Sequence, residues 1–231
     1  MIFDSYPDTW QELEELVCQA FREMRYESHR NHQIKTVRGN VKIDVYAINN
    51  STPIPTIILC ECKYWNKPVE QGVIHSFRSI CSDFGAHFGI IISKRGFQTG
   101  ANKTREATNI HLYDFAEFQA AFFDEWRSGI FMKFATMMDG LMPLMPGNPH
   151  YLHDENLQAK LNSVQVFKKY SIFFGDQRYT EYFIGRETFP VVTNDPRGDP
   201  HMLKEITVNS HRQYLEIAQQ GYSDARVYFG I

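Results

Sequence analysis

Two carboxylates and a lysine stand in this chain where they could act on a phosphodiester bond. In Ile58-Leu59-Cys60-Glu61-Cys62-Lys63-Tyr64-Trp65 an acid and a base lie two residues apart inside an otherwise apolar run. Side chains two apart on a strand share a face, so Leu59, Glu61 and Lys63 point one way and Cys60 and Cys62 the other. The two thiols then read as small core hydrophobes. Upstream, Val41, Ile43, Val45 and Ala47 alternate with Lys42, Asp44, Tyr46 and Ile48, the pattern of a second strand. Between the runs, Asn49 to Pro55 holds turn residues and two prolines, which makes a hairpin centred near residues 52–53 and sets Asp44 opposite Glu61.

Like charges facing each other across strands destabilise the pairing unless something neutralises them. A hard divalent cation such as Mg²⁺ does this with one or two carboxylates, waters and phosphate oxygens. Lys63 beside it can orient or deprotonate a water, or stabilise charge on a pentavalent phosphorus. Glu14 is a further candidate acid, at the edge of the apolar face of the first helix, whereas Glu15 points to solvent. The competing explanation is a surface salt bridge between Glu61 and Lys63.

These residues need a scaffold, and the periodicity supplies one. Thr9-Trp10-Gln11-Glu12 is a capping box, followed by Leu13, Val17, Ala20, Phe21 and Met24 on one helical face. Helical spacing returns after Pro68 at Val69, Val73, Phe77, Ile80, Cys81 and Phe84. Phe88 to Ser93 reads as a strand buried on both faces. Gln98 to Thr108 is weakly helical, Ile110 to Tyr113 a brief strand, and Asp114 to Glu117 a second capping box that opens a helix. The resulting order (helix, two antiparallel strands, helix, strand, helix, strand, helix) is an α/β domain with a mixed sheet flanked by helices.

Composition shifts after Ser128-Gly129. Residues 130–145 carry Met132, Met137, Met138, Met142 and Met145 at helical spacing, which suits core or a subunit contact. Strands are expected over Val164–Phe174, Tyr179–Ile184 and Phe189–Thr193, then a helix over His211–Gln220 and a last strand over Ala225–Phe229. The chain thus divides into residues 1–128 and a smaller α+β domain, 129–231.

The 231 residues are 43% hydrophobic and 22% charged, ordinary for a globular protein with a packed core. No apolar run is long enough to span a bilayer, and the N-terminus lacks a basic start and apolar stretch, so a cytoplasmic protein is expected. Four cysteines do not make a disulfide framework. Half a zinc site at Cys60 and Cys62 lacks a second pair of ligands at a fitting distance. His150, His153, Asp154 and Glu155 follow Pro-Gly-Asn-Pro and read as a loop, and His75 as an ordinary helix residue. With a net charge of −3, nucleic-acid binding would need a local basic patch. Arg22 to Lys42 is cation-rich, but on charge alone a solvated helix end and loop is the favoured explanation. Lys67, Arg78, Lys94, Arg95, Lys103 and Arg105 could instead track phosphates around the sheet-end loops.

Asp44, a short connection and Glu61-Cys62-Lys63 together resemble the PD-(D/E)XK nuclease signature, and the surroundings resemble its Mrr-like restriction-endonuclease branch. Leu13-Glu14-Glu15-Leu16-Val17 is similar to the family's first-helix acid motif, and Val69 to Phe77 to the helix after the lysine strand. Ile91 to Phe97, Gly100-Ala101 and Ile110 to Asp114 resemble the segments that close its fold, so the likeness spans about residues 8–125. It implies a restriction-endonuclease-like fold and a Mg²⁺-dependent endonuclease cutting DNA, with Mn²⁺ as a substitute, of restriction or anti-phage defence type. It further implies Asp44, Glu61 and the Cys62 backbone carbonyl as metal ligands, Lys63 as the catalytic lysine and Glu14 as an accessory catalytic acid. This branch often has Gln where Glu61 stands, and a glycine closer to the aspartate than Gly39 is here. The rival expectations are an inactive nuclease-fold module that grips DNA, or a structure-specific or RNA-directed nuclease such as a junction resolvase. A homodimer through the Met-rich helix would supply a site for each strand.

Overall fold

Thr9 accepts the Glu12 N–H at 3.1 Å while Glu12 reaches back to the Asp8 N–H at 2.8 Å, which starts helix α1 (Trp10–Glu23) in the computed structural model of the chain. The structure describes residues 1–102, 108–141, 168–173 and 189–230. After α1 come β1 (Glu27–Thr36), β2 (Gly39–Asn49), β3 (Thr56–Lys63), α2 (Gln71–Phe84), β4 (Phe88–Ser93), a one-turn α3 (Thr99–Asn102) and β5 (Ile110–Tyr113). Helix α4 (Phe115–Leu141) opens on the second capping box, whose two hydrogen bonds, Glu117 N–H to Asp114 and Asp114 N–H to Glu117, are both 2.8 Å.

The five strands form one mixed sheet in the order β1-β2-β3-β4-β5. The first three pair antiparallel and the last three parallel. Helix α1 packs against β1, β2 and β3, and α2 against β1 and β4. On the α2 side the core joins Ile34, Ile43, Leu59, Ile74, Phe77, Cys81 and Ile91. Gly89 on β4 lets α2 approach: a Cβ there would sit 2.7 Å from Cys81 Sγ and 2.5 Å from an Ile110 methyl.

Strand β1 corrects the expectation of a helix end and loop. Its sequence, Glu-Ser-His-Arg-Asn-His-Gln-Ile-Lys-Thr, holds a single aliphatic residue, so it carries no alternation to read. It forms because β2 offers a patterned neighbour, pairing Glu27 with Ile48 through to Thr36 with Gly39. As an edge strand it keeps polar side chains that a central strand would not tolerate. Several cations of the supposed basic patch are engaged: Arg22 with Glu15, Arg30 with Glu14 and Glu15, and Arg38 with Asp83.

The chain forms two compact units, Met1–Trp126 and Arg127–Ile231. The composition change at Ser128-Gly129 lies inside α4, not in a linker. In the second unit β6 (Val191–Asn194) pairs antiparallel with β7 (Glu205–Val208), and α5 (His211–Phe229) follows. The described parts of two expected strands are helical. Residues 168–173 form a helical turn running into a 3-10 turn, with the consecutive side chains of Lys169 and Tyr170 buried, not alternate ones. Ala225–Phe229 is the end of α5, where Leu215, Ala218, Ala225 and Phe229 lie buried at helical spacing and Gly230, at φ +75°, ends the helix. A five-residue window could not reveal that longer period. The expected strand at Tyr179–Ile184, Met142, Met145 and the His150–Glu155 cluster lie outside the described residues. None of the described helices is long and apolar enough to cross a membrane.

Candidate active site

The hairpin register pairs Val45 with Cys60, Tyr46 with Leu59 and Asn49 with Thr56, and its continuation by one residue sets Asp44 against Glu61. Backbone pairing between β2 and β3 stops at Val45 and Cys60, so the site begins where the two strands part. There the Asp44 carboxylate replaces the missing ladder acceptor, taking the Cys62 N–H at 2.8 Å. Lys63 donates to Glu61, and both side chains are largely buried.

The strand geometry that aims Asp44 differs from simple alternation. Ile43 and Tyr46 both pack into the cluster on the α2 side, although residues three apart should face opposite ways. The reversal coincides with Asn31 on β1, whose φ of +53° is the left-handed region that asparagine tolerates better than other residues. Arg30 pairs with Val45 and His32 with Ile43, while the positions between them, Asn31 and Asp44, make no bridge. The strand therefore turns its face over at the residue that carries the first carboxylate.

Glu14 enters from α1 and is 4% exposed, deeper than the edge position its spacing suggests. Arg30 holds it: Nη2 donates to Glu14 at 3.1 Å and Nη1 to Glu15 at 2.9 Å. The Glu14 carboxyl is pushed above its ordinary value by burial, with the Asp44 charge adding to the rise against the Arg30 hydrogen bond. Burial likewise raises Glu61, reinforced by the charges of Asp44 and Glu14 and opposed by Lys63. The acids thus share one electrostatic field, with Lys63 and Arg30 as the cations beside them. Among the described residues, no three His, Cys, Asp or Glu side chains are grouped to hold a metal by themselves. The donor set suits a hard cation bound by two carboxylates, with the remaining positions left to backbone oxygen, water and substrate.

Cys60 and Cys62 are buried on the opposite side from Leu59, and burial holds both thiols well above their usual pKa. That suits packing and disfavours a zinc thiolate. Lys67, Arg78, Lys94 and Arg95 are exposed; Lys67 pairs with Glu70 at 2.7 Å, and Arg78 lies about two turns into α2. His75 is exposed on the same helix, and Lys103 and Arg105 lie outside the described residues. Sequence reasoning counted Arg30 only among the cations of Arg22 to Lys42 and passed over Asn31 and Trp65. Trp65, 37% exposed, has Lys63 Nζ 5.1 Å from its ring centre and Lys67 Nζ at 5.9 Å. Its place two residues past Lys63 was the available signal; nothing local marked the other two.

Residues 8–122 match the family model described as restriction endonuclease, the catalytic domain of the Mrr type. No curated protein matches the chain. Among solved structures it is similar to the protein of unknown function AF1548, at 19% identity and a TM-score of 0.41, over 47% of this chain and 59% of that one. It is also similar to the MspJI restriction endonuclease, solved in complex with a 27-mer oligonucleotide, at 14% identity and a TM-score of 0.32. That likeness covers 46% of this chain and 26% of the other, so the chain spans less than two thirds of either protein.

Proposed function

Because residues 8–122 belong to the Mrr-type restriction-endonuclease family, we propose that the chain is a divalent-metal-dependent endonuclease that hydrolyses DNA, acting in the cytoplasm in restriction or anti-phage defence. The observation that carries the reading is the mutual placement of Asp44, Glu61 and Lys63 where β2 and β3 separate. Asp44 and Glu61, with the Cys62 backbone carbonyl, would hold Mg²⁺ or Mn²⁺. When bound, that ion supplies charge stabilisation at the phosphate and lowers the pKa of a water.

The chain's own residues do the rest. Asp44 is fixed by the Cys62 N–H through one oxygen, which leaves the other without a hydrogen bond among the described residues. Lys63, tethered to Glu61, orients the attacking water and steadies negative charge at phosphorus. Glu14 acts from behind as an accessory acid, held by Arg30. Exposed Lys67, Lys94 and Arg95 follow the carboxyl ends of β3 and β4 and would hold the DNA backbone, with Arg78 and Lys103 as further contacts. Residues 129–231 would form a separate domain for recognition, regulation or assembly.

Supercoiled plasmid incubated with the full chain should be nicked or linearised in Mg²⁺ or Mn²⁺ and left intact in chelator. Uncut DNA under all metal conditions would contradict the reading. Parallel duplex, branched and single-stranded DNA and RNA substrates assign the polymer: preferential cutting of a junction or of RNA would replace the restriction role.

A further inference from the structure

A pocket of about 200 Å³ lies beyond the carboxyl ends of β3, β4 and β5, where parallel strands commonly place ligands. It adjoins the proposed active site along the chain: Leu13 on its wall precedes Glu14, and Tyr64 follows Lys63. Tyr6, Tyr64 and Phe115 give it aromatic walls. The Tyr64 hydroxyl donates to the Pro7 carbonyl at 3.2 Å, and Tyr6 meets Phe115 edge-on at 5.8 Å, so the N-terminal segment completes the enclosure.

Two charged side chains line this largely apolar space. Lys94 Nζ rests 3.8 Å from the Tyr64 ring centre and has no carboxylate partner among the described residues. Asp114 uses one carboxylate oxygen to cap α4, and its other oxygen accepts no hydrogen bond among the described residues. The space is smaller than a drug-sized site, roughly 300 Å³ or more, but it accommodates one flat heterocycle. Aromatic walls bind the face of such a ring, a carboxylate accepts from an exocyclic amino group, and an ammonium at the rim meets a phosphate.

We propose that this pocket binds a single nucleobase carrying an amino group, with its phosphate on Lys94. The inference deepens the nuclease reading, on which it rests for the source of the base but not for the chemistry of the pocket. The base comes either from an unpaired position in a nucleic-acid strand or from a free nucleotide.

Equilibrium dialysis of the full chain against dCMP, dAMP, dGMP and dTMP, in chelator, tests it. The first three should bind saturably, with dTMP about tenfold weaker. Tyr6→Ala and Lys94→Ala should each weaken dCMP about tenfold. Asp114→Asn, which keeps a capping side chain, should narrow the gap between dCMP and dTMP. No saturable binding up to about 10 mM, or equal binding by the wild type and both alanine variants, would overturn the proposal. A duplex with one unpaired 2-aminopurine separates the sources. A Tyr6-dependent change in its emission assigns the pocket to a strand base, and mononucleotide binding without that change assigns it to a free nucleotide. The outcomes also separate the two readings. Base binding by a protein that cuts no DNA leaves the pocket and removes the nuclease; cutting by a protein that binds no base does the reverse.

Discussion

Glu61 sits where neighbouring negative charge is poorly tolerated. Burial first, then Asp44 and Glu14, hold its carboxyl above the ordinary glutamate value. Between the unfolded and the raised folded pKa the native state binds more protons, so without metal the stability from this group falls as pH rises through that window. Glu61→Gln should therefore melt about 2–4 °C above wild type at neutral pH in chelator, and the difference should shrink on acidification. Differential scanning calorimetry checks this; an unchanged or lower Tm at neutral pH would show that the Lys63 pair outweighs the repulsion. Much of this was legible in the sequence. The prolines and turn residues fix the hairpin centre, and counting from it sets Asp44 against Glu61. The hydrogen bond from the Cys62 N–H to Asp44 and the grip of Arg30 on Glu14 were not legible, because both depend on how β1 and the strand ends are placed in space.

Among the elements, β1 exerts its effect through backbone shape. With φ at +53°, Asn31 lies across from Asp44 at the point where β2 changes face. Glycine adopts that conformation freely, whereas a β-branched residue is strained there by about 1–2 kcal/mol. Asn31→Gly should thus keep stability and cleavage, while Asn31→Val should lose both, as read by thermal melting and plasmid nicking. Equal behaviour of the two would show that the left-handed turn does not position Asp44. Gly89 governs the opposite side of the sheet. Gly89→Ala drives a methyl into Cys81 and Ile110, and overpacking of about 1–3 kcal/mol should lower Tm by roughly 3–10 °C. The elements α1, β2, β3, α2 and α4 could be read from the sequence because burial imposes their pattern, and β4 because it is an unbroken apolar run. β1 could not, since a polar edge strand owes its form to a partner, and β7, four residues long, is too short to show a period.

For the molecule as a whole, the two units are held by different means. The first has a mixed sheet with helices packed on it, while the second uses a buried lysine as an internal clamp. Lys169, 2% exposed, donates to the carbonyls of Asp195, Arg197 and Met202 at 3.1, 2.7 and 3.1 Å. Lys169→Met leaves those carbonyls without their donor and should cost about 1–3 kcal/mol, seen as earlier proteolysis within residues 189–230. Unchanged proteolysis would show that the loop holds without the clamp. This arrangement was not legible in advance, because Lys169 sits in a run that reads as a strand and its partners lie more than twenty residues away. The proposed function rests on the acid–acid–lysine set, and single-turnover cleavage of plasmid DNA in Mg²⁺ tests it most directly. Asp44→Ala and Lys63→Ala should each slow cleavage at least about a hundredfold while keeping a cooperative melting transition above the assay temperature. Cleavage at the wild-type rate by either variant would contradict the account.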